Sequence, residues 1–302
     1  MSYYTERHGL RAPVEQTEII TYEMYALLFD CCENYFANIA WKYSEECPDG
    51  NGCCGIDIQK LSIALKFEIP ALFQSENGII VKPNKGSFYD NDDVYDQYGL
   101  LDFIEFMFAN IRDITTFWHS YYRHNDINFK NTNKAAYSFR SNINTIFNKT
   151  GLLYTLSESG MVERIDKNGV LTPEIEQSIT HVSETGLKEL LQDAIILYKT
   201  PAPQARQDSV EKLWDALERL KSYYTTVDKR TSVATIVNDM ANNQTEFITL
   251  FDTEFRVLTD IGNKFRIRHH ETDKIDITDL RHYDYFFNRC LSLIALAIQY
   301  LE

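Results

Sequence analysis

Residues 209–224, SVEKLWDALERLKSYY, decide how the chain is read. Val210, Leu213, Trp214, Leu217 and Leu220 recur there at three- and four-residue intervals, one stripe of an α-helix, with Glu, Lys and Arg on the remaining faces. Such a stripe is stable only when covered, so it predicts partner helices in a bundle. They lie on both sides. From Glu174 onward the sequence reads as helices only: residues 175–197, a break at Pro201, Ala202 and Pro203, then 209–224, 232–262 and 283–301. In the last of these Phe286, Leu293, Ala297 and Leu301 form a stripe that Phe287, Ile294 and Ile298 broaden.

Upstream the pattern is more mixed. Residues 19–43 read as a helix with Ile20, Tyr25, Leu28, Phe29, Phe36 and Ile39 spaced around it, closed by the turn-rich CPDGNGCCG at 47–55. A short helix at 56–67 stops before Pro70, and residues 79–96, ending in DNDDVYD, read as an exposed loop. Residues 100–122, LLDFIEFMFANIRDITTFWHSYY, are apolar on too many faces for a surface helix and predict a central one. After a helix at 135–149, LLYTLSESGMVERI at 152–165 predicts a β-hairpin turning at Ser157 to Gly160. DKNGVLTP at 166–173 is the candidate boundary. The expected fold is therefore mostly α with a small β-hairpin: an N-terminal domain over residues 1–168 and a helical bundle over 169–302.

At 302 residues, with 44% hydrophobic and 25% charged, the chain can bury two cores without staples. The longest apolar run, LSLIALAI at 291–298, is far short of a membrane span, and the charged N-terminus MSYYTERHGL lacks a signal-peptide core, so a soluble, cytoplasmic protein with no membrane contact is expected. In that setting Cys31, Cys32, Cys47, Cys53, Cys54 and Cys290 read as reduced thiols. Their spacing lacks the paired knuckles of a zinc site, and neither metal nor cofactor is expected. Phosphate-binding glycine loops, nucleophile elbows and HExxH motifs are absent from the sequence.

The net charge of −14 excludes a protein that coats nucleic acid along its whole surface, so any such contact must be local. The densest basic cluster of the second half is NKFRIRHHE at 263–271, with Lys264, Arg266, Arg268, His269 and His270. If the helix persisted through it, Arg266 and His270 would share a face, and an Arg beside a His suits metal-independent RNA cleavage: imidazole takes the 2′-hydroxyl proton while guanidinium holds charge at phosphorus. The competing reading is a basic helix end that complements its dipole. A second concentration sets Arg123, Lys130, Lys134, Arg140 and Lys149 among Trp118, Tyr121, Tyr122, Phe129, Tyr137 and Phe139, a mixture suited to single-stranded nucleic acid or to ordinary core packing.

YYTERHGL at the start, LLDFIEFM at 100–107 and SFRSNINTIFNKTGLLYTLSESGMVERI at 138–165 resemble the N-terminal domain of AbiJ-type abortive-infection proteins of bacteria. The all-helical second half, with a basic His motif before its last helix, is similar in layout to HEPN domains. The first resemblance implies a part in antiphage defence. The second implies a dimeric endoribonuclease with Arg266, His269 and His270 as catalytic residues and RNA as substrate. The HEPN signature separates Arg from His by four to six residues, whereas here the polar residues at that distance are Asn263 and Lys264. Either Arg266 or Lys264 takes the Arg role, or the fold is kept without the reaction, leaving a module that binds a partner protein or nucleic acid.

Overall fold

The structure, a computed structural model, describes residues 4–12, 14–86, 91–268 and 272–301. The chain divides between Ile165 and Asp166 into two compact units. The first contains α1 (Tyr4–Arg7), α2 (Tyr22–Glu33), α3 (Phe36–Ile39), β1 (Ser44–Glu46), β2 (Cys53–Ile56), α4 (Ile58–Glu68), α5 (Gln97–Asn110), β3 (Asp113–His119), β4 (His124–Lys130), α6 (Lys134–Thr150), β5 (Tyr154–Leu156) and β6 (Val162–Arg164). Its core is built on α5, which buries Leu100, Leu101, Phe103, Ile104, Phe106 and Met107 against Phe29 and Phe36 of the preceding helices and Phe139, Ile143 and Phe147 of α6. The expected hairpin is present as β5–β6, with Gly160 at φ 88° in its turn.

The structure corrects three expectations about this unit. Residues 100–122 are not one helix: α5 ends at Asn110, and Asp113 onward is strand β3. The exit is enforced by hydrogen bonds to the α3 region, since Arg112 N donates to Asn38 O (3.0 Å), Asn38 Nδ2 donates to Arg112 O (2.8 Å) and Trp41 Nε1 donates to Asn110 O (2.8 Å). Beyond it the β-branched and aromatic run ITTFW suits an extended chain. Residues 19–43 are likewise divided, with α2 ending at Glu33. The CPDGNGCCG turn joins two strands, β1 and β2, rather than two helices. These strands and β3–β4 form an antiparallel sheet in the order β1-β2-β4-β3, with β2 and β4 meeting through the pair Cys53↔Ile127. Asp113 anchors the sheet to α6: its carboxylate accepts from Ala135 N (2.6 Å) and from Thr132 Oγ1.

The second unit is helical: α7 (Pro173–Thr180), α8 (Thr185–Lys199), α9 (Pro203–Leu220), α10 (Lys229–Met240), α11 (Thr245–Lys264) and α12 (Leu280–Ala297), followed by a 3-10 turn. Val210, Leu213, Trp214, Leu217 and Leu220 of α9 are all buried, as the opening stripe requires, against Leu187, Leu191, Phe287, Leu291 and Ile294. Residues 175–197 and 232–262 each form two helices instead of one. Asn242 and Asn243, at φ 47° and 60°, make the second break, as Asn tolerates the left-handed region better than most residues. At the first, Glu184 caps α8 by accepting from Leu187 N (2.6 Å). Its carboxylate also takes both Nε and Nη2 of Arg219 on α9, each at 2.7 Å.

The Arg219 fork, despite some opposing burial, helps hold the Glu184 carboxyl down to about 2 from its ordinary 4.5. A depressed folded-state value means stability that is fully present above pH 4.5 and is lost as pH falls toward 2. Glu184→Gln is therefore expected to cost about 1 kcal/mol at neutral pH, solvent screening included. In denaturant melts across pH the gap from the parent protein should close below pH 4; a pH-independent gap would assign the effect to the cap alone.

Candidate functional site

Helix α11 ends at Lys264, and the chain leaves it extended at Phe265, so Arg266 lies beyond the helix and shares no helical face with His270. The departing segment is pinned to Ile275: Arg266 N donates to Ile275 O (2.8 Å) and Ile275 N to Lys264 O (3.1 Å). Ile267 plugs into the core, Arg266 pairs with Asp276 (2.9 Å) and Arg268 pairs with Asp215 of α9 (2.7 Å). Lys264 is exposed at the helix end, its ammonium 5.9 Å from the Phe265 ring. His269 and His270 lie outside the described residues.

Ile267 and Arg268 also line a cleft of about 1060 Å³ whose walls come from α9, α10 and α11. Its lining includes Lys221, Lys229, Arg230, Arg256 and Arg268 against Glu218, Asp252 and Asp260, an excess of positive charge in an acidic protein. Burial disfavours the Glu218 charge, yet Lys221 and Lys229 outweigh it and hold this carboxyl below its ordinary value. Trp214 and Phe255 supply an apolar floor. Chemically the cleft presents cations to an anion.

In the first unit the basic and aromatic residues separate. Phe139 is core, whereas Phe117, Trp118, Tyr121 and Tyr137 are exposed. Arg123 sits in the β3–β4 turn at φ 57°, Lys130 ends β4 and Lys134 begins α6, all three exposed. Arg140 is half-buried, donating through Nε to Leu156 O (3.0 Å) and facing Glu158 at 3.6 Å. Arg123, Lys130 and Lys134 are thus presented to solvent, while Arg140 is engaged by the β5–β6 hairpin.

The sequence reading missed a convergence at the sheet. Cys47, at the tip of β1–β2, lies with its Sγ 3.5 Å from Nδ1 of His119. Asp126 meets the same Nδ1 through Oδ2 and His124 Nε2 through Oδ1, each at 3.1 Å. His119 and His124 are cross-strand partners that close the β3–β4 hairpin, and Cys47 is carried alongside by the Cys53↔Ile127 pairing. Cys31, Cys32 and Cys290 stand apart: burial pushes the Cys31 thiol up to about 11 and raises Cys32 and Cys290 as well, as for inert core thiols. Four residues able to ligate a metal thus meet at one point, with all four candidate ligand atoms within 4.8 Å of one another.

Residues 2–181 match the family described as AbiJ N-terminal domain 4, well over half of the chain, and the chain belongs to that family. Membership ties it to abortive infection, a form of antiphage defence. The match runs through α7, past the division at Ile165. Neither a curated protein nor a solved structure matches the chain. None of the described helices is long and apolar enough to cross a membrane.

The Arg266–Asp276 and Arg268–Asp215 pairs are each about a third to two-thirds exposed at one or both partners. Pairs of that kind contribute about 0–1 kcal/mol, so Arg266→Ala and Arg268→Ala should each lower unfolding free energy by less than about 1 kcal/mol in urea melts. A larger loss would make these arginines part of the framework.

Proposed function

We propose that the protein is an abortive-infection effector that acts on RNA, with its C-terminal unit a HEPN-type, metal-independent endoribonuclease. The observation that carries this reading is the cleft with its positive excess, to whose wall the basic segment after α11 contributes Ile267 and Arg268. A phosphate can displace Asp276 and Asp215 from their arginines at small cost, since half-exposed ion pairs are weak. His269 or His270 then serves as the base toward the 2′-hydroxyl, and Arg266 or Lys264 stabilises charge at phosphorus. A homodimer pairing two such segments would turn one face into a closed groove. Lys264 and Arg268 would hold RNA in this unit, with Arg123, Lys130, Lys134 and Arg140 as RNA contacts in the other.

One observation favours a second reading, a non-catalytic module that binds a partner protein or nucleic acid: both arginines already hold carboxylates, and Arg266 lies outside the helix that would have aligned it with His270. The two readings separate in one experiment. Expression of the protein in bacteria should halt growth, and His269→Ala with His270→Ala should relieve the arrest. Purified protein should cleave single-stranded RNA without added magnesium, leaving 2′,3′-cyclic phosphate ends, and Arg266→Ala or His270→Ala should slow cleavage by about 100-fold or more. Binding of RNA with no cleavage would select the second reading, and cleavage that requires added magnesium would exclude the proposed chemistry.

A further inference from the structure

We infer that Cys47, His119, His124 and Asp126 form a structural zinc site in the first unit. The distances make the first argument. A tetrahedral Zn²⁺ with bonds of about 2.0–2.3 Å sets neighbouring donor atoms about 3.3–3.7 Å apart. Here Cys47 Sγ lies 3.5 Å from His119 Nδ1, the two imidazoles each lie 3.1 Å from a different oxygen of Asp126, and one donor atom from each of the four residues falls within 4.8 Å of the others, close enough for a single ion to draw them together. An imidazole nitrogen has one in-plane direction for a proton or a bond. That the His119 Nδ1 faces a thiol and a carboxylate together is the pattern of ligands round a shared centre.

Burial makes the second argument. Cys47 and Asp126 are 2% and 3% exposed, and the two imidazoles lie within hydrogen-bonding distance of the Asp126 carboxyl. A desolvated carboxylate is costly unless it is paired or binds a metal, and a divalent ion held by a thiolate and a carboxylate is neutralised within the site. The third argument is mechanical. Among the described residues the β1-β2-β4-β3 sheet buries a small apolar cluster, Cys53 and Ile127 with Ala40 at the end of α3, edged by half-buried Ile56, Ile114 and Phe129, while Phe117 and Trp118 of β3 are exposed. A sheet with so small a core needs a cross-link, and these four ligands would tie the tip of β1–β2 to both strands of β3–β4. Sulfur with two imidazoles selects zinc over magnesium or calcium, and four protein ligands leave no open position, which marks a structural centre. The ring of Tyr122 lies over the site, stacked on His124 at 13° with centroids 6.0 Å apart.

This inference does not rest on the ribonuclease reading, and its readout is metal content. The full chain, purified without chelator, should carry about one equivalent of zinc by elemental analysis. Cys47→Ser and Asp126→Ala should reduce it to a small fraction, whereas Cys54→Ser, a neighbouring thiol outside the cluster, should leave it unchanged. Cobalt exchanged into the parent protein should show the visible bands of tetrahedral Co²⁺ with a thiolate charge-transfer band. His124→Cys, which keeps four ligands, should retain the metal and intensify that band, which guards against variants that lose metal only by misfolding. Parent protein that holds no zinc as purified and takes up neither Zn²⁺ nor Co²⁺ beyond the level of Cys47→Ser would overturn the site.

Discussion

Asp126 is a carboxylate almost without water, placed in the middle of a sheet that has little hydrophobic material to offer. Such a charge must be answered within a few ångströms, because its desolvation costs several kcal/mol when uncompensated. The surrounding arrangement follows from that demand: His124 of the same strand and His119 of its hairpin partner face it, and the turn of the other hairpin delivers a cysteine. The larger core behind α5 fixes where the sheet begins, through Asn38 and Asp113, but it does not reach the hairpin tips. Order at the tips depends on polar contacts. The exposed Trp118 and Tyr121 and the basic Arg123 lie at this end of the sheet, so whatever holds Asp126 also sets how they are displayed.

The second unit solves its folding problem in the opposite way. Its helices share one continuous apolar interior, with Tyr198 stacked on Phe287 at 3.7 Å and Trp214 donating to Leu258 O at 3.1 Å. Among its charged groups Arg206 is buried and faces Asp284 at 3.6 Å, and cations are in excess along the cleft beside α10 and α11. A strongly acidic protein gains selectivity from this layout, since in this unit an anion is met by cations along the cleft while the net charge of the chain repels it elsewhere.

Much of this architecture is readable from the residues. The α9 stripe, the β5–β6 hairpin and the last helix follow from periodicity and turn chemistry because each is a local property. The errors arise where two elements of similar apolar density run together. Residues 100–122 read as one helix because nothing in their composition announces the tertiary hydrogen bonds from Asn38 and Trp41 that end α5. The breaks at 181–184 and 241–244 were hidden by Glu and Asn acting as helix punctuation. The Cys/His/Asp cluster was illegible for a different reason: Cys47 and His119 are 72 residues apart and become neighbours through a strand pairing that periodicity does not encode. His119, His124 and Asp126 were the available signal, two imidazoles and a carboxylate within eight residues.

Asp166, the first residue after the division, has a consequence for how such proteins can evolve. Its carboxylate accepts from Tyr198 Oη and from Nδ2 of Asn288, while Oδ1 of Asn288 takes Val170 N at 2.8 Å, so this residue is a working part of the helical unit. Family members that exchange C-terminal halves by recombination would have to cross over upstream of it to pass on an intact bundle. A junction placed at the end of the family match, residue 181, would instead join one parent's Asp166 and α7 to the other parent's remaining helices, so Asn288 and Tyr198 would keep their acceptor only where the N-terminal parent carries an acid at that position. A single carboxylate thus limits where two such chains can be joined without disturbing the bundle.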